Sequence, residues 1–267
     1  MVQVRWITVF AFAAAIIIGC NSPEKERPVW EDTKIGDLAS GRDKGRAAGQ
    51  LVRTINFNAF VFEIPVENIH VLDNVWWALT TQHIEFNNYK TFRDNTFMVG
   101  YGQVDMWNRI AELLQSAEGK RQVRVSLLLT EGQSDDFAVA DLNGEKKVYY
   151  STAEELVEKA IGPGILALRI QAERVPGSRG VCMLRATPVF SAPVTSSIPQ
   201  IAEHNQHREF VFTETGFKLK MSPGDFFFLG PEKYTAHQVT LDSLFFSRPR
   251  RKPVVRIYLF VCTGIVD

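Results

Sequence analysis

From Thr54 the pattern becomes regular, and from residue 132 onward the chain reads mostly as short runs rich in β-branched and aromatic residues, with turn signals roughly every eight to twelve residues. Such a run has at least one apolar face to bury. Many of them in tandem can do so only by stacking as sheets or by curling one sheet on itself. TINFNAFVFEI (54–64), QVRVSLLLTE (122–131), ILALRIQAERV (165–175), GVCMLRATPVFS (180–191), DFFFLGP (225–231) and VVRIYLFVC (254–262) are clear strand candidates. The 19 Phe residues, many of them in the second half, supply ample core-filling area.

Helical spacing interrupts the strands at defined places. Val66, Ile69, Leu72, Val75, Trp76 and Leu79 form a stripe that predicts a helix over 66–82. Val104, Trp107, Ile110, Ala111 and Leu114 predict a second over 103–119, with Asp105 near its start and Gly119 at its end. HIEFNNYKTFR (83–93) alternates like a strand, and NTFMVGYG (95–102) follows as another. In the second half, Thr152 and Glu155 stand at capping-box spacing and predict a helix over 152–162, ended by Gly162. Asn143-Gly144 predicts a hairpin over 135–151, and Thr215-Gly216 a hairpin joining 208–214 to 216–221. SPGD (222–225) reads as a β-turn, and HQVTLDSLFF (237–246) as a strand. The expected fold class is α+β: a small βαββα module over 51–131, then a β-rich domain over 132–267, either a sandwich or a curled antiparallel sheet.

The first twenty residues have a different character. Arg5 precedes thirteen uncharged, mostly apolar residues (6–18), which would span about 20 Å as a helix against the roughly 30 Å of a bilayer core. The run suits the apolar region of a signal peptide (1–19) rather than a spanning anchor. Ile17-Ile18-Gly19-Cys20 then resembles a bacterial lipobox, which implies acylation of Cys20, palmitate among the chains, and a permanent membrane anchor. A plain secretory signal with an incidental cysteine is the alternative. Residues 20–50 are dominated by charge, Gly, Ser and Pro, and read as a flexible tether in which Trp30 is solvated. The expected address is the cell envelope, in a compartment that permits disulfides. There Cys182 and Cys262 are either a cross-strand disulfide or two inert buried thiols.

Lys+Arg and Asp+Glu both number 30, so the chain lacks the basic excess that phosphate contacts demand, and nucleic acid is not an expected partner. No metal site or cofactor is expected. His204 and His207 are two imidazoles in a loop without further ligands, His70, His83 and His237 are scattered, and HExxH is absent. Ser178 lies in a turn rather than a Gly-x-Ser-x-Gly elbow. Gly100-Tyr101-Gly102 and Gly162-Pro163-Gly164 match no phosphate-binding loop. Asp135-Asp136 and Glu154-Glu155 point to opposite faces of their elements, so no catalytic pair is expected. The strong charge run is Arg248, Arg250, Arg251 and Lys252, which suits an anionic headgroup surface or a solvated loop. Trp76 and Trp107 fall on the apolar stripes. Trp77 lies off them and is a candidate partner contact.

Residues 94–131 resemble the exit from a periplasmic N-domain of bacterial secretins into the secretin domain. The likeness is carried by Asn95 before a strand, Leu113-Leu114 closing a helix, the Gln122-Val123 strand, and Glu131 at its end. The run RIYLFVCTGIVD (256–267) is similar to the closing strand of that family. SIPQI (197–201) only partly matches a gate motif, and the stretch after residue 131 is short for a gated barrel. The resemblance implies a non-enzymatic structural or docking role in the envelope, with partners among envelope proteins or further copies of the chain, since secretin N-domains associate laterally. A ligand- or polysaccharide-binding envelope lipoprotein is the alternative, and a hydrolase with a site scattered in sequence is a third reading.

Overall fold

The computed structural model describes residues 53–192, 209–235 and 238–266. The signal peptide, Cys20, the tether with Trp30, the gate-like SIPQI segment, and His204, His207 and His237 lie outside the described residues.

Strands outnumber helices in a mixed α+β architecture. In chain order the strands are β1 (Thr54–Pro65), β2 (Ile84–Phe86), β3 (Phe97–Gly102), β4 (Lys120–Thr130), β5 (Ser134–Leu142), β6 (Lys146–Ser151), β7 (Leu156–Ile161), β8 (Gly164–Arg174), β9 (Cys182–Ser191), β10 (Glu209–Val211), β11 (Phe217–Met221), β12 (Phe226–Pro231), β13 (Ser247–Arg248) and β14 (Val254–Val266). The α-helices are α1 (Val71–Ala78), α2 (Tyr89–Asp94), α3 (Trp107–Ser116) and α4 (Leu241–Phe246). The first sheet runs β3-β12-β14-β1-β4, with β13 beside β14. The second runs β2-β11-β9-β8-β5, with β10 beside β9. Both sheets are open, not closed into a barrel, and every paired strand in them is antiparallel. Each sheet draws strands from either side of residue 131.

The central strands of the first sheet are buried on both faces, and their sequence shows why. In β14, Tyr258, Phe260 and Cys262 enter the core shared with the second sheet, while Ile257, Leu259 and Val261 point to the opposite side. In β12, Phe227 stacks on Phe260 at 4.7 Å, while Phe226 and Phe228 meet Trp107 and Trp76 of the covering helices at 6.2 and 5.7 Å. Strands covered on both sides read as continuous apolar runs. Across the shared core, Phe217 of the second sheet meets Phe227 at 5.6 Å, and Phe137 meets Phe260 at 5.3 Å. Glycine permits one close approach: a Cβ on Gly100 would fall 2.6 Å from the Leu79 Cβ, where Thr80 bridges to Tyr101. The Gly100-Tyr101-Gly102 motif thus seats the segment after α1.

The expected helices over 66–82 and 103–119 are shorter than predicted, each opening with a 3-10 turn. The second ends with Glu118 in the left-handed region at φ 54, Glu118 N donating to Gln115 O and Gly119 N donating to Leu114 O. That is a Schellman closure with Glu at the position glycine usually takes. Five expectations are corrected. Residues 152–162 are not a helix: β7 pairs along β6 as a separate two-stranded hairpin. Thr152 Oγ1 donates to Glu155 O and accepts from Glu155 N, so the spacing that suggested a capping box closes a hairpin turn. The Asn143-Gly144 hairpin does not form, because β5 pairs with β8 instead. Residues 89–94 are helix α2, opened by the Asn88 side chain accepting from Thr91 N at 3.0 Å. Residues 241–246 are helix α4, with a reciprocal Thr240/Ser243 capping box. Finally, β10 and β11 do not pair with each other. They follow one another along β9, separated by the 3-10 turn Thr213–Thr215. The SPGD turn is present, with Gly224 at φ 95 and Asp225 N donating to Ser222 O.

Candidate functional site

The basic run is mostly engaged in holding the fold. Arg248 donates from Nη1 to Leu244 O (3.0 Å) and Ser247 O (2.8 Å), and from Nη2 to Val139 O (2.6 Å). It thereby ties α4 to β5. Burial holds its guanidinium below the usual arginine range, and the Arg256 and Arg250 charges push the same way. Arg250 and Arg256 both donate to the buried Glu63, at 3.0 and 2.9 Å. Arg251 and Lys252 are exposed and make no ion pair among the described residues. They border a cleft of about 440 Å³ together with Glu67 and Glu118, so the charge offered there is mixed in sign.

No acid–base or nucleophilic constellation forms among the described residues. Asp136 is taken by Arg169 Nε at 2.7 Å, and the Arg169 guanidinium also reaches Glu209, which raises its affinity for its proton. Ser178 lies in the β8–β9 turn, its N–H bonded to Val175 O. His83 leans on the Tyr101 ring at 4.9 Å, and His70 is exposed. Tyr101 and Tyr258 have their phenols pushed up to about 12, burial being the larger cause in both. No group of three or more His, Cys, Asp or Glu among the described residues could hold a metal. A cavity of about 670 Å³ is bordered by Val139, Lys146, Tyr234, Ser243 and Arg248. Trp77 is 87% exposed, and Trp76 and Trp107 are occupied on the first sheet, so these rings build no aromatic groove.

The surface that stands out is the open side of the stacked sheets. β4 pairs with β1 along one edge, and its other edge is the border of the first sheet over eleven residues. β5 borders the second sheet on the same side. Between them lies a mostly apolar cleft of about 380 Å³, lined by Val123, Val125, Leu127, Phe137 and Tyr258, with Asp135, Asp136 and Arg256 also bordering it. Two large apolar side chains of β4, Leu128 (67%) and Val123 (43%), are exposed. Arg124 lies over the Phe60 ring at 5.6 Å, and Ser126 donates to Asn58 Oδ1 at 2.8 Å. The sequence signal was present in QVRVSLLLTE, but nothing local distinguishes a border strand from an interior one. Cys182 and Cys262, by contrast, are both fully buried and free.

No protein-family model and no curated protein sequence matches the chain. Among solved structures it has a weak likeness to the InvG secretin-domain β-barrel of the Salmonella SPI-1 injectisome, at 9% identity and TM-score 0.23, covering 80% of this chain and 64% of that one. It has a similar likeness to the V. cholerae type IV competence pilus secretin PilQ, also at 9% identity and TM-score 0.23, covering 82% and 62%. The chain spans less than two thirds of the length of either.

Proposed function

We propose that this chain is a lipid-anchored, non-enzymatic docking module of the cell envelope, which binds a second copy of itself by strand addition along β4. The observation that carries the reading is the β4 border, unpaired among the described residues, with its exposed Leu128 and Val123 beside a mostly apolar cleft. An open border presents backbone N–H and C=O groups ready to pair, and natural sheets usually blunt such borders with Pro, inward charge or short length. β4 carries eleven residues and no proline. Its cations are confined to Lys120, Arg121 and Arg124. In an antiparallel self-pair centred on Val125, Arg124 faces Ser126, Arg121 faces Leu129 and Lys120 faces Thr130, so no cation meets a cation. Acylation at Cys20 would confine copies to one plane and raise their effective concentration.

Two measurements test this. A photo-crosslinking residue placed at Leu128 in native membranes is expected to join β4 to β4 of a second copy, and Val123→Lys with Leu128→Lys to abolish the product. A protein that stays monomeric at high concentration in detergent and yields no crosslink sinks the docking reading. Cys20→Ala in the native host is expected to release the protein from membranes. Unchanged sedimentation and mass would remove the anchor.

A further inference from the structure

Cys182 opens β9 in the second sheet and Cys262 lies near the end of β14 in the first, yet one corner of the molecule holds both. Cys182 stands opposite Met221, the last residue of β11. From there the chain crosses between sheets through the Ser222–Asp225 turn into β12. The far side of that turn clamps Cys262: Gly224 N donates to Cys262 O at 2.8 Å, and Cys262 N donates to Asp225 O at 2.9 Å. Both side chains point into the core between the sheets, and both are fully buried. The neighbouring Cys182 raises the Cys262 thiol far above its usual range, with burial adding to the effect. Of the three cysteines in the chain, Cys20 is assigned above to the proposed anchor, and these two remain.

We infer that Cys182 and Cys262 are the two halves of a disulfide that staples the first sheet to the second. For its oxidant the inference rests on the envelope reading above, where disulfide donors are available. The thiolate of one cysteine attacks the donor disulfide and expels one thiol. The second cysteine attacks the resulting mixed disulfide and expels the other. Two electrons pass from the cysteine pair to the donor, and the two cysteine protons leave on the two expelled thiols. In the finished fold neither sulfur is reachable and Cys262 resists deprotonation, so the bond is made while the chain folds, before the core closes. It closes a long loop and constrains the unfolded chain accordingly.

The test is to reduce and unfold the purified protein, then refold it in a buffer of oxidised and reduced glutathione. A peptide linking Cys182 to Cys262 is expected under non-reducing digestion. Reductant is expected to lower the thermal midpoint of the oxidised protein by roughly 10 °C, and to leave a Cys182→Ala/Cys262→Ala control unchanged. Cooperative refolding with both thiols open to alkylation after denaturation overturns the bond and leaves the envelope reading untouched. A separate arm traps thiols in acid-quenched native cells. The bond found there supports both statements. The bond formed in vitro but absent in cells supports the pairing and overturns the envelope placement.

Discussion

The two sheets are built from strands of similar length, yet they obey different rules. The first lies between the second sheet and helices α1 and α3, and its central strands are apolar on both sides. The second has one dry face and one wet face. On the wet face Arg169 pairs with Asp136 and Glu209, Arg185 with Glu173, and Lys218 with Glu85. A sheet with one solvated face can carry charge at every second residue. A sheet clad on both faces can carry charge only where partners converge, and in β1 the buried Glu63 is met by two arginines. Stability is therefore expected to be concentrated in the first sheet.

The largest effect that sharpens this contrast is Phe260→Ala. The ring is fully buried against Phe227 and Phe137, and its loss is expected to cost about 3–5 kcal/mol in urea unfolding. Tyr258 comes next. Its phenol is fully buried, donates to Phe245 O at 2.7 Å, and is raised to about 12 from 10.0. A raised pKa means that the folded state holds the proton more tightly. The contribution is complete below pH 10 and is lost as pH rises toward 12. Alkaline unfolding in that window is expected to account for about 2–3 kcal/mol and to be absent in Tyr258→Phe. Glu63→Gln follows at about 2 kcal/mol, discounted because Arg250 is more than half exposed. The smallest is Arg169→Ala on the wet face, expected to cost under about 1 kcal/mol despite three carboxylate contacts at or below 2.8 Å. If Arg169→Ala matched Phe260→Ala in chemical denaturation, the contrast between the sheets would be broken.

Much of the strand inventory was legible, because alternation and turn residues act over a few positions. The runs at 54–64, 122–131, 165–175, 225–231 and 254–262 all coincide with strands to within a few residues. The failures share a cause. In LDSLFF all but one residue is buried, so its periodicity could not separate a helix from a strand. Thr152 and Glu155 satisfied the geometry of a helix cap and of a hairpin turn equally, and the aromatic contacts of Tyr150 with Phe210 and Phe212 lie where the hairpin packs. Asn95 settled the matter from a distance: its side chain accepts from Ser151 N and donates to Ser151 O, tying the hairpin to the end of α2. The candidate docking border was legible as a strand only. The basic run was legible as charge, but the carbonyls and Glu63 that occupy Arg248 and Arg250 were not.

Local chemistry alone determined that this chain makes many strands and where several of them turn. Each of those properties is written in side chains a few residues apart. The tertiary structure decided which strands are neighbours: Thr54 faces Val266 on one side and Thr130 on the other, leaving β4 at the border and placing Cys182 and Cys262 in one core. Strand pairing is made by backbone groups that nearly every residue possesses, so its partners are chosen by how the whole core closes.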